Sequence, residues 1–320
     1  RRGSPPLDGA ATPRRTCRGS GMTRISRHGL ITGLACVALA PSLLSAGCAG
    51  PPRVKVGSKN FTEELILGEM YALLIEHQGL AVARRLDLGS TQVAMAALAR
   101  GDIDLYPEYT GTALLVVLKQ PPQSDRAAVY DLVKREYAQR YDLTWLDPAP
   151  MNDTQALATT QATSSRLSLR TLSECARLAT TLRLGAPHEF LERPDGLPGL
   201  VKAYGGFAFA KVVPVDIGLK YKALQSGDVD VVVAFGTDGQ IDADHLVVLE
   251  DDRHFFPPYS VAPVVRTQTL AAHPFIMNAL NHLAPLLTDA AMRKLNYQVD
   301  GQKQEPVDVA RSFLQTNALL

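Results

Sequence analysis

The chain has 320 residues, 46% of them hydrophobic and 20% charged, a globular balance that suits two domains of ordinary size. Its formal charge of +1 is unevenly spread: residues 1 to 47 carry seven arginines against the single acid Asp8, leaving 26 bases and 31 acids, a net −5, from residue 48 onward. A mildly acidic body without a basic stripe argues against nucleic acid as a partner, and of the four cysteines only Cys175 lies beyond residue 48, which leaves the body no disulfide framework.

Residues 1–21, rich in Arg, Pro and Gly, read as an upstream segment outside the fold. Met22 then opens "MTRISRHGLITGLACVALAPSLLSAGC": a charged start, an apolar run from Gly29 to Ala40, and small residues up to Cys48. This is the pattern of a signal peptide over residues 22–47, and the run is too short for a comfortable membrane span. Leu44 to Cys48 resembles a bacterial lipoprotein box, which implies a lipid on Cys48 and a short linker to residue 52. Ser45 stands three before the cysteine where leucine is usual, so plain secretion stays open. Either way the body is expected outside the cytoplasm. Cys175, in a helical pattern, reads as a packed residue rather than a nucleophile.

The body contains a repeat. "VKVGSKNFTEE" runs through "HQGLAVARRLDLGSTQVAMAALARGDIDLYPEY", and "LRLGAPHEFLE" runs through "AYGGFAFAKVVPVDIGLKYKALQSGDVDVVVAF". Gly57, Gly79 and Gly101 keep step with Gly185, Gly206 and Gly227. Each half reads strand, helix, strand, helix, then Gly-Asp-(Ile/Val)-Asp and a third strand, which predicts two similar α/β lobes, each with a mostly parallel sheet flanked by helices. Aligning Gly101 with Gly227 sets Tyr109 on Phe235, two aromatics at strand ends that face a cleft between lobes or plug each core. In "DLYPEYTGT", Asp104 and Leu105 are expected to finish the strand, with Pro107 stopping its pairing.

Ser124 to Leu146 is helical in period. Asp147 to Thr160 and Asp251 to Arg266 are Pro-punctuated and extended, and are the expected crossings between lobes. Lobe 1 then comprises residues 53–152 and 261–320, and lobe 2 residues 153–260. The tail from His273 is helical by period and is expected to pack on lobe 1.

"VGSKNFTEELILGEM", "GDIDLYPEYTGT", "HEFLERPDGLPGLVKAYG" and "GTDGQI" occur in order from about Arg53 onward, and through them the chain resembles the substrate-binding proteins of osmoprotectant ABC importers. The resemblance implies a two-lobed type II periplasmic-binding-protein fold with the ligand cleft between lobes, acting as a monomer with a membrane permease and its ATPase and without a cofactor or metal. It implies a quaternary ammonium solute such as glycine betaine, choline or carnitine. That cation has no N–H to donate, so aromatic faces attract it, each by about 0.5–2 kcal/mol.

Carried over by motif, Tyr109 and Tyr259 match box tyrosines, Thr112 a nearby polar contact, and Lys59 and Arg193 cations for a solute carboxylate. Gln155 and Phe235 depart, standing where an aromatic and a tyrosine are usual, so a weaker box or another solute is implied. Asp153 either approaches a cation or caps a turn. Plain alternatives stand beside these: Lys59 as a solvated charge, Arg193 paired with Glu189 or Asp195, Tyr106 in the core, and Glu108 as a loop charge that meets the permease. Asp102/Asp104 and Asp228/Asp230 read as turn and strand-start residues. Seven histidines without H-x-x-H spacing, no Gly-x-Ser-x-Gly elbow and no Walker lysine leave an enzyme the weaker reading, and a sensor using the same closure is a further one.

Overall fold

The computed structural model describes residues 53–320; residues 1–21, the leader over 22–47, Cys48 and its linker lie outside the described residues. Ten strands form two five-stranded sheets. They are β1 (Val54–Gly57), β2 (Val82–Arg85), β3 (Leu105–Tyr109), β4 (Leu143–Trp145), β5 (Gln155–Thr159), β6 (Arg183–Ala186), β7 (Lys211–Pro214), β8 (Val231–Phe235), β9 (Val247–Val248) and β10 (Val261–Arg266). The first sheet runs β2-β1-β3-β10-β4 and the second β7-β6-β8-β5-β9. In each, three strands are parallel and the fourth lies antiparallel between its neighbours. That antiparallel strand, β10 in one sheet and β5 in the other, is the second part of a stretch expected as a Pro-punctuated crossing. The two-lobed α/β architecture expected from the repeat is what the chain adopts.

The Gly-Asp-x-Asp motif does the same work twice. Gly101 and Gly227 end a helix at φ +77° and +75°, a conformation glycine adopts without strain. Asp104 N–H then donates to Lys55 O at 2.7 Å while its carboxylate accepts from Lys55 N–H at 2.8 Å. Asp230 does likewise with Arg183, at 2.9 Å both ways. Each aspartate therefore ties the start of a third strand to the first. The partner of Gly79 (φ +85°) in conformation is Gly205 (φ +68°), not its neighbour Gly206.

Pro107 does not end the strand. β3 begins at Leu105 and runs through it to Tyr109, with Pro107 directly opposite Pro263 on β10. Thr110 N–H donates to Ser260 O at 3.0 Å and Arg266 N–H to Asp104 O at 2.9 Å. Alternation along the antiparallel ladder then makes Pro107/Pro263 a pair that exchanges no hydrogen bonds, so neither ring displaces a donor there. The helix from Ser124 is also shorter than its period suggests: it spans Arg126–Tyr141, stops at Asp142 (φ +56°), and Leu143–Trp145 becomes an edge strand.

The Thr62–His77 helix is buried on almost every face, including Ile66, Leu67, Met70, Tyr71 and Ile75. The tail helices Phe275–Leu283, Asp289–Asp300 and Pro306–Thr316 cover the side that the first sheet leaves open, and join it in one apolar core. Leu105 and Tyr109 belong to that core, whereas Tyr106 points into a second one on the other face, as alternation along a strand requires. Among the described residues no helix is long and apolar enough to cross a membrane.

Candidate functional site

The third strand of each lobe runs toward the crossings, and the crossing strand starts beside its end. Val261 is thus opposite Tyr109, and Gln155 is opposite Phe235. Between these strand ends lies a cavity of about 290 Å³. Lys59, Tyr109 and Thr112 reach it from lobe 1, Gln155, Arg193 and Phe235 from lobe 2, and Asp153 and Tyr259 from the crossings. The eight residues singled out in the sequence therefore share one cavity wall.

Tyr109 and Phe235 do not face one another directly. Phe61, in extended backbone at the start of the Thr62–His77 helix, stands between them, its ring centroid 6.1 Å from Tyr109 and 6.3 Å from Phe235, 16° from parallel with the latter. Tyr259 completes the apolar wall, and its ring explains Gly111: a Cβ there would sit 2.7 Å from the Tyr259 ring. Phe61 was missed because it carries no signal of its own in "GSKNF"; only its position two residues beyond Lys59, after a strand end, could have pointed to the cleft.

The charges are paired inside the protein. Lys59 is 4% exposed, not a solvated charge. Its ammonium lies 2.8 Å from Glu108, 3.4 Å from Glu64 and 4.5 Å from the centroid of the Tyr109 ring. Glu108 is fully buried, not a loop charge, and also accepts from Tyr106 Oη–H and Tyr109 N–H, each at 2.7 Å. The reading erred because a glutamate beside a proline looks solvent-facing when its lysine partner is 49 residues away. Burial works against the Lys59 charge, but Glu108 and then Glu64 outweigh it and hold the ammonium above its ordinary value. Burial pushes Glu64 up to about 8 despite Lys59, since one ammonium faces two carboxylates. Tyr109 Oη–H donates to Glu63 at 2.7 Å, and burial pushes Glu63 up to about 7.

A second network centres on Asp195, which the sequence suggested only as a possible partner of Arg193. Its carboxylate accepts from Arg193 Nε at 2.8 Å and Nη2 at 2.5 Å, Gln155 Nε2 at 2.6 Å and Tyr259 Oη at 2.5 Å. Arg193 also pairs with Glu189 at 3.3 Å and reaches across the lobes to Thr112 Oγ1 at 3.4 Å. Gln155 thus fixes Asp195 and Tyr259 in place of forming a free polar wall. Asp153 accepts from Thr237 Oγ1 at 2.6 Å, and burial raises its carboxyl well above the usual range.

The crossings are tied to each other at this point. Asp153 N–H donates to Tyr259 O at 3.1 Å, and Asn152 Oδ1 accepts from Tyr259 N–H at 2.7 Å. Arg126 spans both, donating to Pro150 O at 2.7 Å and Ser260 Oγ at 2.5 Å. The arrangement can hold a small solute between two bodies joined by extended segments, the layout of a hinge-closing binder.

Comparison with known proteins agrees. Residues 52–316 match the family described as the substrate binding domain of ABC-type glycine betaine transport system. The chain is 35% identical over 295 residues to a glycine-betaine-binding protein of Pseudomonas aeruginosa, covering 89% of this chain and 94% of that one. It is also 35% identical over 261 residues, 81% of its length, to the ergothioneine transport permease/ergothioneine binding protein EgtU of Helicobacter pylori, and spans 47% of that longer protein. Among solved structures, a glycine betaine/carnitine/choline ABC transporter superposes with a TM-score of 0.69 at 34% identity, over 83% of this chain and 99% of the other. The chain belongs to the family of substrate-binding domains of ABC-type glycine betaine transport systems.

Proposed function

We propose that the protein is the extracytoplasmic solute-binding component of an ABC importer and holds a quaternary ammonium solute in the cavity between its lobes. The observation that carries this reading is the wall of Phe61, Tyr109, Phe235 and Tyr259 around about 290 Å³ of space drawn from both lobes and the crossings. A quaternary nitrogen offers no hydrogen bond, so ring faces are the groups that attract it once water is displaced. Thr112 and Arg193, already in contact across the cleft, receive the carboxylate of a betaine. Lys59 acts mainly through Tyr109, whose ring it overlies while its charge is met by Glu108 and Glu64.

Solute that touches both lobes favours the closed form because that form alone makes both sets of contacts. The closed protein docks on its membrane permease, and the partner ATPase drives release. A lipid on Cys48, after removal of the leader, keeps this monomer at the outer face of the membrane. Titration of the protein with glycine betaine, choline and carnitine at fixed salt tests the reading by calorimetry. Saturable binding of at least one is expected, and Tyr109→Ala should weaken it roughly five- to thirtyfold, about 1–2 kcal/mol for the lost ring. Affinity unchanged by Tyr109→Ala for all three would sink the aromatic-wall assignment.

A further inference from the structure

None of the residues of "GTDGQI", Gly236 to Ile241, lines the solute cavity, although the motif follows directly on Phe235. Its surroundings show where it is used. Gly239 has an ordinary right-handed backbone (φ −66°, ψ −25°), so conformation does not call for glycine there. Space does. A Cβ on Gly239 would sit 2.6 Å from Tyr297 N and 2.7 Å from Arg293 O, both backbone atoms of the Asp289–Asp300 helix. Two segments from different lobes therefore meet backbone to backbone.

That helix is fixed to lobe 1 by one face and offered to lobe 2 by the next. Met292 and Leu295 are buried in the lobe 1 core, and Thr62 Oγ1–H donates to Asp300 at 2.5 Å. On the neighbouring face, Asp289 accepts from Asn152 N–H, in the first crossing, at 2.7 Å. One turn on, Arg293 Nε–H donates to Gly236 O at 2.9 Å, and a turn later Asn296 Nδ2–H donates to Thr237 O at 2.9 Å. Steps of four and three residues keep these groups on one side of a helix. The seam begins at a crossing and runs about 12 Å along the helix to Tyr297, so rotation of the lobes about the crossings parts its far end first.

Asn296 also ties the seam to the solute site. It is 3% exposed, and its amide donates to Glu63 Oε2 at 3.0 Å as well as to Thr237 O. Glu63 Oε1 in turn accepts from Tyr109 Oη–H at 2.7 Å. One buried amide thus joins the loop of lobe 2 to the carboxylate that anchors a ring of the aromatic wall.

We propose that Gly239, Arg293 and Asn296 are positioning residues for solute capture. The seam between the tail helix and the loop after β8 forms as the lobes close, and its strength sets both how often the free protein closes and how tightly solute is held. Contacts made only in the closed form raise its population, and affinity follows that population. None of the three residues lines the solute cavity. The inference rests on the hinge-closing reading above, not on which solute binds.

Gly239→Ala tests it, with Arg293→Ala and Arg293→Lys beside it. Calorimetric titration with glycine betaine, choline and carnitine gives affinity, and small-angle X-ray scattering of the solute-free protein gives its radius of gyration. Gly239→Ala should weaken binding about tenfold and Arg293→Ala about three- to tenfold, while Arg293→Lys, still a donor, recovers most of the loss. Both weakened variants should scatter with a larger radius, a change that a contact serving stability alone would not produce. Thermal melting checks that each variant folds; if Gly239→Ala does not, the Arg293 variants decide. Affinities that stay within about twofold, or a radius that neither variant enlarges, overturn the proposal. If the unchanged chain takes none of the three solutes, the quaternary-ammonium reading falls, and the radius alone then decides for or against the seam.

Discussion

The two lobes share a strand order and differ in how they support the aromatic at the end of the third strand. In lobe 1, Tyr109 is 3% exposed, anchored through its hydroxyl to Glu63 and overlaid by Lys59 at 4.5 Å. In lobe 2, Phe235 is half-buried and has no hydroxyl; its backbone N–H donates to Asp238 at 2.8 Å and Lys220 overlies its ring at 4.0 Å. Both lobes set a lysine ammonium against the ring, yet from different places in the repeat: Lys59 follows the first strand, Lys220 the second. The lesson is that the repeat preserves backbone ties such as Asp104–Lys55 and Asp230–Arg183, while ring support was assembled separately in each half.

Removing each lysine is the strongest way to separate the lobes. Lys59→Met leaves Glu64 and Glu108 buried together without a cation and should destabilise the protein by about 3–5 kcal/mol. Lys220→Met leaves Asp238 with hydrogen bonds from Tyr221 Oη and Phe235 N, each within 2.8 Å, and should cost about 1–3 kcal/mol. Urea denaturation of both variants gives the order, and equal losses would mean that the two lysines serve alike.

The lobes also differ in their response to pH. Glu64 in lobe 1 is raised from 4.5 to about 8 by burial, so it binds its proton more tightly folded than unfolded. Its contribution to stability is therefore full below about 4.5 and is lost as pH rises through about 8. Asp230 in lobe 2 is lowered, chiefly by its hydrogen bond from Arg183, so its contribution is present above the ordinary carboxylate value and is lost as pH falls. Glu64→Gln should flatten the decline in melting temperature between pH 5 and pH 8, and Asp230→Asn should leave that decline in place. A melting temperature whose slope does not respond to Glu64→Gln would remove the lysine-sharing account of the pair.

The smallest effect tests what the repeat preserves. Asp104→Asn and Asp230→Asn each weaken one strand-to-strand tie, and each should cost about 0.5–1.5 kcal/mol by urea denaturation. Losses that differ by more than about 1 kcal/mol would show that the two Gly-Asp-x-Asp motifs are alike in sequence only.

Much of the fold was legible because its signals are local. Helical and strand periods, the glycine spacing and the Pro-punctuated crossings each occupy short stretches, and they led to two similar α/β lobes. Pro107 misled because one residue cannot show whether its missing N–H faces a neighbour; opposite Pro263 it does not. Leu143–Trp145 misled because an edge strand gains its identity from β10, more than a hundred residues later in the chain. At the site, residues carried by motif came together on one cavity, while Phe61 and Asp195 acquired their places only by packing between or beneath the others.

Composition, period and spacing were enough for the lobes, their parallel strands and the strand ends that meet the cleft, since each is set by backbone geometry over a few residues. Charge was another matter. Glu63 meets Asn296 across 233 positions and Lys59 meets Glu108 across 49, and nothing near either residue reports that encounter. Whether a carboxylate lies in water or beneath a ring depends on which distant side chains close over it, and low-dielectric burial then decides its partner, its proton and the chemistry of the cavity it faces.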